Sequence, residues 1–399
     1  MIGERSGSRP VTRDEPLRIL RVISTMTPSA GGPREGLIRS SEALARLGCR
    51  TEVVTCDSPD APWLRGLPMT VHALGPHTRR YHFAHRLVPW LKANRDRFDV
   101  AIAHGIWNFA SVGTWLGWRD GRMPYLVFTH GMLDPYFGAA QPWKWRAKQL
   151  FWWALEGRVL RDAAAVLFTT EEERRLAAQA FGERYRPRVV AYGTADIAGD
   201  AAAQVAAFRR QVPALADRRF LLVLGRRHPT MGCVLLLRAF AAVASADPEL
   251  DLVIAGPDET GWRPKLEGLA AEFGIASRVH FPGPLAGDEK WGAFRACEAF
   301  VLPSHQENFG IVVAEAMAAG KPVLITDKVN IWREVEGSGA GLVAPDDLPG
   351  ITALLERYLA TEAAERARMG ASARAAFLER FSIAGAASDL MRAIEEARA

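Results

Sequence analysis

Residues 300–326 read FVLPSHQENFGIVVAEAMAAGKPVLIT, an order of residue types that few folds accommodate. An apolar run ends at Leu302 and a polar loop covers 304–308. A helical pattern then runs to Ala319, and Gly320 and Pro322 stop it before a second apolar run at 323–326. Strand, loop, helix and strand in that order make a βαβ unit, the building block of a parallel sheet. In an open parallel sheet ligands bind beyond the carboxyl ends of the strands, which is where 304–310 would lie. Glu307 falls just before the helix, with the free N–H groups of Asn308, Phe309 and Gly310 behind it, and Glu315 stands about two turns in. Two readings are open. Either the two carboxylates face a hydroxyl-rich ligand, or Glu307 caps the helix and Glu315 is a solvated helix residue.

A chain of 399 residues with 49% hydrophobic content has material for two ordinary domains. Every apolar stretch is interrupted by charge before the ~20 residues a membrane span needs. The first residues, MIGERSGSRPVTRDEP, lack an apolar leader, so 1–16 is expected to be a disordered lead-in and the location cytoplasmic. Cys49, Cys56, Cys233 and Cys297 have no CxxC spacing, which speaks for reduced, buried thiols over a zinc site or a disulfide framework. The net charge of +5 suits an anionic ligand or membrane face and gives little support to a nucleic-acid partner.

Taken in order, the apolar runs predict strands at 17–23, 51–55, 71–74, 100–103, 125–129, 163–169 and 188–191. After a break they predict 220–225, 252–255, 279–281, 300–302, 323–326 and a last strand near 343. The turn after the first strand carries Gly31-Gly32 before a helix at about 34–47, without the full GxGxxG pattern. The strands at 100–103 and 125–129 end in His104-Gly105 and His130-Gly131, two histidines that would point into one crevice. From 141 to 161 the chain interleaves Trp143, Trp145, Phe151, Trp152 and Trp153 with Lys144, Arg146, Lys148, Arg158 and Arg161. That pattern fits a helix lying on an anionic membrane, and equally one whose tryptophans pack on a core. Arg79, Arg80, Tyr81, His82 and Phe83 form a second patch of the same kind. Thr170 followed by Glu171, Glu172 and Glu173 reads as a capped helix start with acids at the positive end of its dipole. An Ala-rich, polar stretch at 201–217 reads as a linker, and the turn 226–232, RRHPTMG, leads basic residues into a helix start, a good diphosphate site.

With these pieces in order, the chain resembles the retaining glycosyltransferases of the GT-B fold. The likeness is to the large GT4-like, group 1 family of bacterial polysaccharide and lipopolysaccharide enzymes. The most specific match is Glu307 through Glu315, the family's E-x7-E signature, supported by THGMLDPYF from Thr129, VLFTTEEER from Val166, VIAGPDETGW from Val253 and DKVNIWREV from Asp327. The resemblance implies an α/β protein with two Rossmann-like, doubly wound parallel-sheet domains facing a cleft. Residues 17–200 would bind the acceptor, 218–380 the nucleotide sugar, and 381–399 would form a C-terminal helix able to cross back to the first domain. His130, Glu307 and Arg226 would be catalytic. Gly31, Gly32, Arg227, His228, His305, Asn308, Phe309, Gly310 and Glu315 would bind the donor, and His104 would lie on the acceptor side. The implied partners are a nucleotide-sugar co-substrate and a lipid-linked or saccharide acceptor, with no metal and no other cofactor. An anionic membrane surface at 143–161 would place the protein peripherally on the inner face of the cytoplasmic membrane. One departure stands out: the family's turn reads R-x-H-P-K-K-G, and here Thr230 and Met231 replace the lysines. Either Arg227 or His228 compensates, or the chain has kept a binding role as a scaffold in polysaccharide assembly.

Overall fold

The structure is a computed structural model that describes residues 16–78, 81–136, 142–215, 217–226, 228–258 and 261–399. Arg79, Arg80 and Arg227, with nearly all of the expected lead-in, lie outside the described residues.

Each expected strand forms, within a residue or two, in one of two wholly parallel sheets. The first contains β1 (Arg18–Ile23), β2 (Arg50–Thr55), β3 (Thr70–Ala73), β4 (Val100–His104), β5 (Tyr125–Phe128), β6 (Ala165–Phe168) and β7 (Pro187–Val189), in the order β3-β2-β1-β4-β5-β6-β7. The second contains β8 (Arg219–Leu224), β9 (Leu250–Ala255), β10 (Val279–Gly283), β11 (Ala299–Leu302), β12 (Val323–Thr326) and β13 (Gly341–Ala344), in the order β10-β9-β8-β11-β12-β13. Helices cover both faces of each sheet, which is why central strands such as β4 and β11 are buried along their whole length and read as unbroken apolar runs. The strand order reverses direction beside β1 and beside β8. At each reversal the flanking loops diverge and open a crevice at the carboxyl ends of the strands.

Residues 201–217 depart from the expected linker. Ala201–Gln211 is a helix, N-capped by Asp200, which accepts from the Ala203 amide at 2.7 Å. It is packed so closely on the helix Gly287–Ala296 that a Cβ at Gly292 would stand 1.9 Å from the Gln204 carbonyl oxygen. Phe208 from the helix, with Val212 and Leu215 just beyond it, joins the core of the second sheet, a pattern thinned by alanine and therefore hard to recognise. The last helix, Ile383–Arg398, buries Ala387, Leu390, Ala393 and Ile394 against Ile19, Val100, Leu126 and Leu167 of the first sheet. The two chain crossings meet where Thr194 donates its amide to the Phe381 carbonyl at 3.0 Å and accepts from the Ile383 amide at 2.9 Å. Gly193 is needed there, since a Cβ would sit 2.0 Å from the Phe381 oxygen.

Candidate active site

On the second sheet, the loop after β11 folds the Glu307 side chain back over the start of the helix Ile311–Ala318. Gly310, at φ +75°, makes that curl possible, and its amide donates to Glu307 Oε1 at 3.3 Å. The backbone of Glu307 is stitched to the loop after β12, donating to the Lys328 carbonyl at 2.9 Å and accepting from the Asn330 amide at 3.0 Å. Burial raises the carboxyl's pKa, against the amides of Gly310, Phe309 and Asn308 and the charge of Arg226, which favour the anion. The amides expected to face a ligand thus serve Glu307's own carboxylate in this state. The Phe309 side chain is core, packed on Tyr192 and Phe381, so only its backbone faces the site. Glu315 is not a solvated helix residue. Its buried carboxylate accepts from Lys290 Nζ at 2.7 Å and from Arg39 Nη1, on the first domain, at 3.4 Å.

The first sheet answers with two braced loops. Asp57, buried, accepts from the Thr25 hydroxyl and the Met26 amide, both at 2.6 Å, and from the Thr55 hydroxyl at 2.7 Å, fixing the turn that leads to Gly31. Of the two glycines it is Gly31 that has the positive φ, +66°, and its Cβ position lies 3.7 Å from Arg226 Nη2 across the cleft. Gly32 is the first residue of the helix Gly32–Arg46. The His130 loop is held by Glu173, whose buried carboxylate accepts from the Gly131 amide at 2.6 Å, the Thr129 hydroxyl at 2.7 Å, and the Thr169 amide and hydroxyl at 2.7 and 2.8 Å. His130 itself has φ +50°, a conformation a side chain adopts only under such constraint.

His104, expected on the acceptor side, is buried. As the last residue of β4 it is buried behind His130, with Nδ1 3.0 Å from His130 Nε2 and Nε2 3.5 Å from Arg21 Nη1. Burial, and then the positive charge of Arg21, push His130 down to about 3 and His104 well below the usual histidine range, so both rings are neutral. His305 turns away from Glu307 to pair with Asp346, Nδ1 lying 2.6 Å from Oδ1. His228 is exposed at the mouth of the Arg226 turn, its Nδ1 2.9 Å from the Thr230 hydroxyl. The two crevices close on each other through Gln306 donating to Asp134 at 3.2 Å, Asn308 to Thr169 at 3.3 Å, and Arg333 to Glu172 at 3.2 Å. Arg226, Glu307, Glu315, Gly31 and His130 therefore come to one cleft, while His104 and His305 stand behind it. The arrangement presents an arginine beside a bent glycine turn for an anion, and carboxylates with neutral imidazole for hydroxyl groups. Arg21, Arg39 and Lys290 were not singled out by the sequence, and Glu173 only as one of three acids at a helix start. A charge inside the apolar run of β1 was the one local sign, for Arg21.

Comparison with known proteins agrees with the two-domain fold. The family model for glycosyl transferases group 1 matches residues 205–376, and that for a glycosyl transferase 4-like domain matches residues 31–193. A D-inositol 3-phosphate glycosyltransferase of Streptomyces avermitilis is 29% identical over 414 aligned residues, covering 93% of this chain and 87% of that protein. Its counterpart from Stackebrandtia nassauensis is 36% identical over 203 residues, which span 48% of this chain and 44% of the relative. Among solved structures, Anabaena Alr3699/HepE in complex with UDP superposes with a TM-score of 0.75 at 19% identity, over 95% of this chain and 100% of that one. A glycosyltransferase from Rickettsia africae ESF-5 superposes at 0.76 with 13% identity, over 96% and 98%. At such identities the likeness is one of fold, the two-domain GT-B arrangement.

Proposed function

The chain belongs to the group 1 glycosyltransferases, and we propose that it moves a sugar from a nucleotide sugar to a lipid-linked or saccharide acceptor, with retention at the anomeric carbon and without a divalent metal. One observation carries the reading: Arg226 and Glu307 flank the switch point of the second sheet, Arg226 faces the Gly31 turn across the cleft, and Asn308, next to Glu307, packs on Gly131, next to His130. In the proposed reaction the bond from the anomeric carbon to the diphosphate breaks and the acceptor oxygen bonds to the same face. Its proton passes to the leaving phosphate. Arg226, with His228 at the turn's mouth, takes up the leaving group's charge, Glu307 holds donor-sugar hydroxyls after the helix-start amides turn from it to the ligand, and Glu315 exchanges a cation for ribose hydroxyls. The test is a panel of UDP-, GDP- and ADP-sugars, scored by thermal shift and by NMR of the product anomer. Binding of one nucleotide class with a retained product is expected, and an inverted product would sink the retaining mechanism. A scaffold role is the second reading, favoured by Thr230 and Met231 at the lysine positions. Binding without turnover on any acceptor offered would select it.

We further propose that the acceptor side docks on the inner face of the cytoplasmic membrane. The tryptophans of 143–161 divide between the two readings. Trp145 and Trp152 pack on Phe181, while Trp143 is 72% exposed, Leu150 68% and Trp153 78%, among exposed Lys144, Arg146, Arg158 and Arg161. Among the described residues no helix is long and apolar enough to cross a membrane. Sedimentation with phosphatidylglycerol vesicles is expected to pull the chain down, less so as salt rises. Trp143→Ala and Trp153→Ala should each weaken binding by about tenfold, the equivalent of roughly 1.4 kcal/mol. Indifference of the parent chain to vesicles would leave this face without a membrane role.

A further inference from the structure

Arg21 is the least expected residue in the first sheet. It lies inside the central strand β1, it is 1% exposed, and among the described residues it forms no ion pair. Its Nη1 donates to the Ser40 hydroxyl at 2.9 Å, while Nε and Nη2 have no hydrogen-bond partner among the described residues. A buried, unpaired guanidinium is costly, and burial lowers its pKa to about 10 without discharging it near neutrality. The sheet gains nothing from it that an apolar residue would not supply.

Its chemistry has a consequence for the neighbouring rings. A guanidinium has no lone pair to accept with, so the His104 Nε2 that faces Nη1 must be the unprotonated nitrogen. A neutral His104 then carries its hydrogen on Nδ1, which lies 3.0 Å from His130 Nε2 and donates to it. His130 Nε2 is therefore an acceptor, and the hydrogen of that ring is on Nδ1, the atom with no partner among the described residues. Glu173 fixes the backbone of the same loop from beneath, so both the tautomer and the placement of His130 are set by groups behind the cleft. We propose that Arg21 is a positioning residue that, acting through His104, holds His130 as its neutral Nδ1–H tautomer, so that His130 offers the donor sugar a hydrogen-bond donor and not a base. The assignment of a sugar oxygen as the atom that accepts from Nδ1 rests on the glycosyltransferase reading above; the tautomer relay does not.

The relay is measured on the full chain by long-range proton–nitrogen correlation of the imidazoles, with the signals assigned through His104→Gln and His130→Gln. Both rings are expected to show a protonated Nδ1 and a bare Nε2 at neutral pH. A proton on His130 Nε2, or a charged ring, overturns the proposal without any variant at Arg21. Arg21→Met removes the donor and is expected to produce mixed tautomers in both rings, whereas Arg21→Lys keeps a donor and should keep Nδ1–H. Unchanged tautomers in a folded Arg21→Met chain would overturn Arg21 as their cause. If no nucleotide sugar binds, the sugar falls as His130's ligand, and the expected tautomers would then trace that failure to the functional reading, not to the relay.

Discussion

Arg226→Met is expected to lower kcat/KM for sugar transfer by about 10²- to 10³-fold, with most of the loss in kcat. The charge on the leaving diphosphate grows as the glycosidic bond breaks, so a cation beside it stabilises the transition state more than the bound donor. The usual lysines of this turn would share that task, and here they are absent. Thr230 is tied to His228, and Met231 folds over the floor of the turn, with Cε 2.6 Å from where a Cβ of Gly225 would stand and Sδ 4.0 Å from the Ser304 hydroxyl. Among the described residues of the turn, Arg226 is left as the permanently charged side chain facing Gly31. Steady-state kinetics on the best donor of the panel makes the comparison. A loss confined to KM would show that Arg226 holds the donor without acting on the departing phosphate. Met231→Lys in the Arg226→Met background restores a cation at a family position and should return part of kcat. An inactive parent chain that gains turnover from Met231→Lys alone would instead show that Arg226 and its neighbours do not compensate.

The sheets were legible because strands buried on both faces are mostly apolar, so that they read as apolar runs even where a buried charge such as Arg21 or Asp251 interrupts them. The Glu307 loop was legible for a related reason: a polar string between an apolar run and a helix start has one place to be in a parallel sheet. What escaped is what depends on distance in sequence. Arg39 and Glu315 are 276 residues apart, and no periodicity relates them. Glu173 looked like one of three acids at a helix start, and it does occupy the third position after the Thr170 cap. Its carboxylate, however, is spent on Thr129 and Gly131 after β5 and Thr169 after β6, a role set by the fold of two separate loops. His104 and His130 were correctly paired as neighbours at adjacent strand ends, but strand register cannot say which ring lies in front. The register of β4 against β5 sets His104 opposite Phe128, and His130 lies two residues beyond, over the cleft. The helix Ala201–Gln211 was missed because alanine satisfies a helix and a flexible connection alike, and the Gly292 contact that decides between them lies far along the chain.

Glu156→Gln is expected to stabilise the protein, and to do so more strongly as pH rises. Glu156 closes a widened helical turn, Trp152–Glu156, and is fully buried. Oε1 accepts from the Ser111 hydroxyl at 2.8 Å and the Trp107 amide at 3.0 Å, while Oε2 has no partner among the described residues. Burial disfavours the anion and raises the carboxyl from the ordinary 4.5 to about 7, the two hydrogen bonds opposing the shift only in part. A folded-state pKa above the unfolded one means that the folded chain binds the proton more tightly. Glu156's contribution is then fully present below about 4.5 and is lost as pH rises through about 7. The loss over that window is roughly 3 kcal/mol. Glutamine keeps an acceptor for Ser111 and Trp107 and has no charge to lose. Urea unfolding should therefore find variant and parent within about 1 kcal/mol of each other near pH 4, and the variant ahead by roughly 3 kcal/mol near pH 8. His104 and His130 act in the opposite sense, since their folded pKa values are depressed and their contribution falls away as pH drops below the ordinary histidine value. Both chains carry those histidines, so the difference between them isolates the carboxyl. A gap that does not widen between the two pH values would mean that Glu156 is as readily ionised in the folded chain as in the unfolded one, and that the widened turn admits water to Oε2.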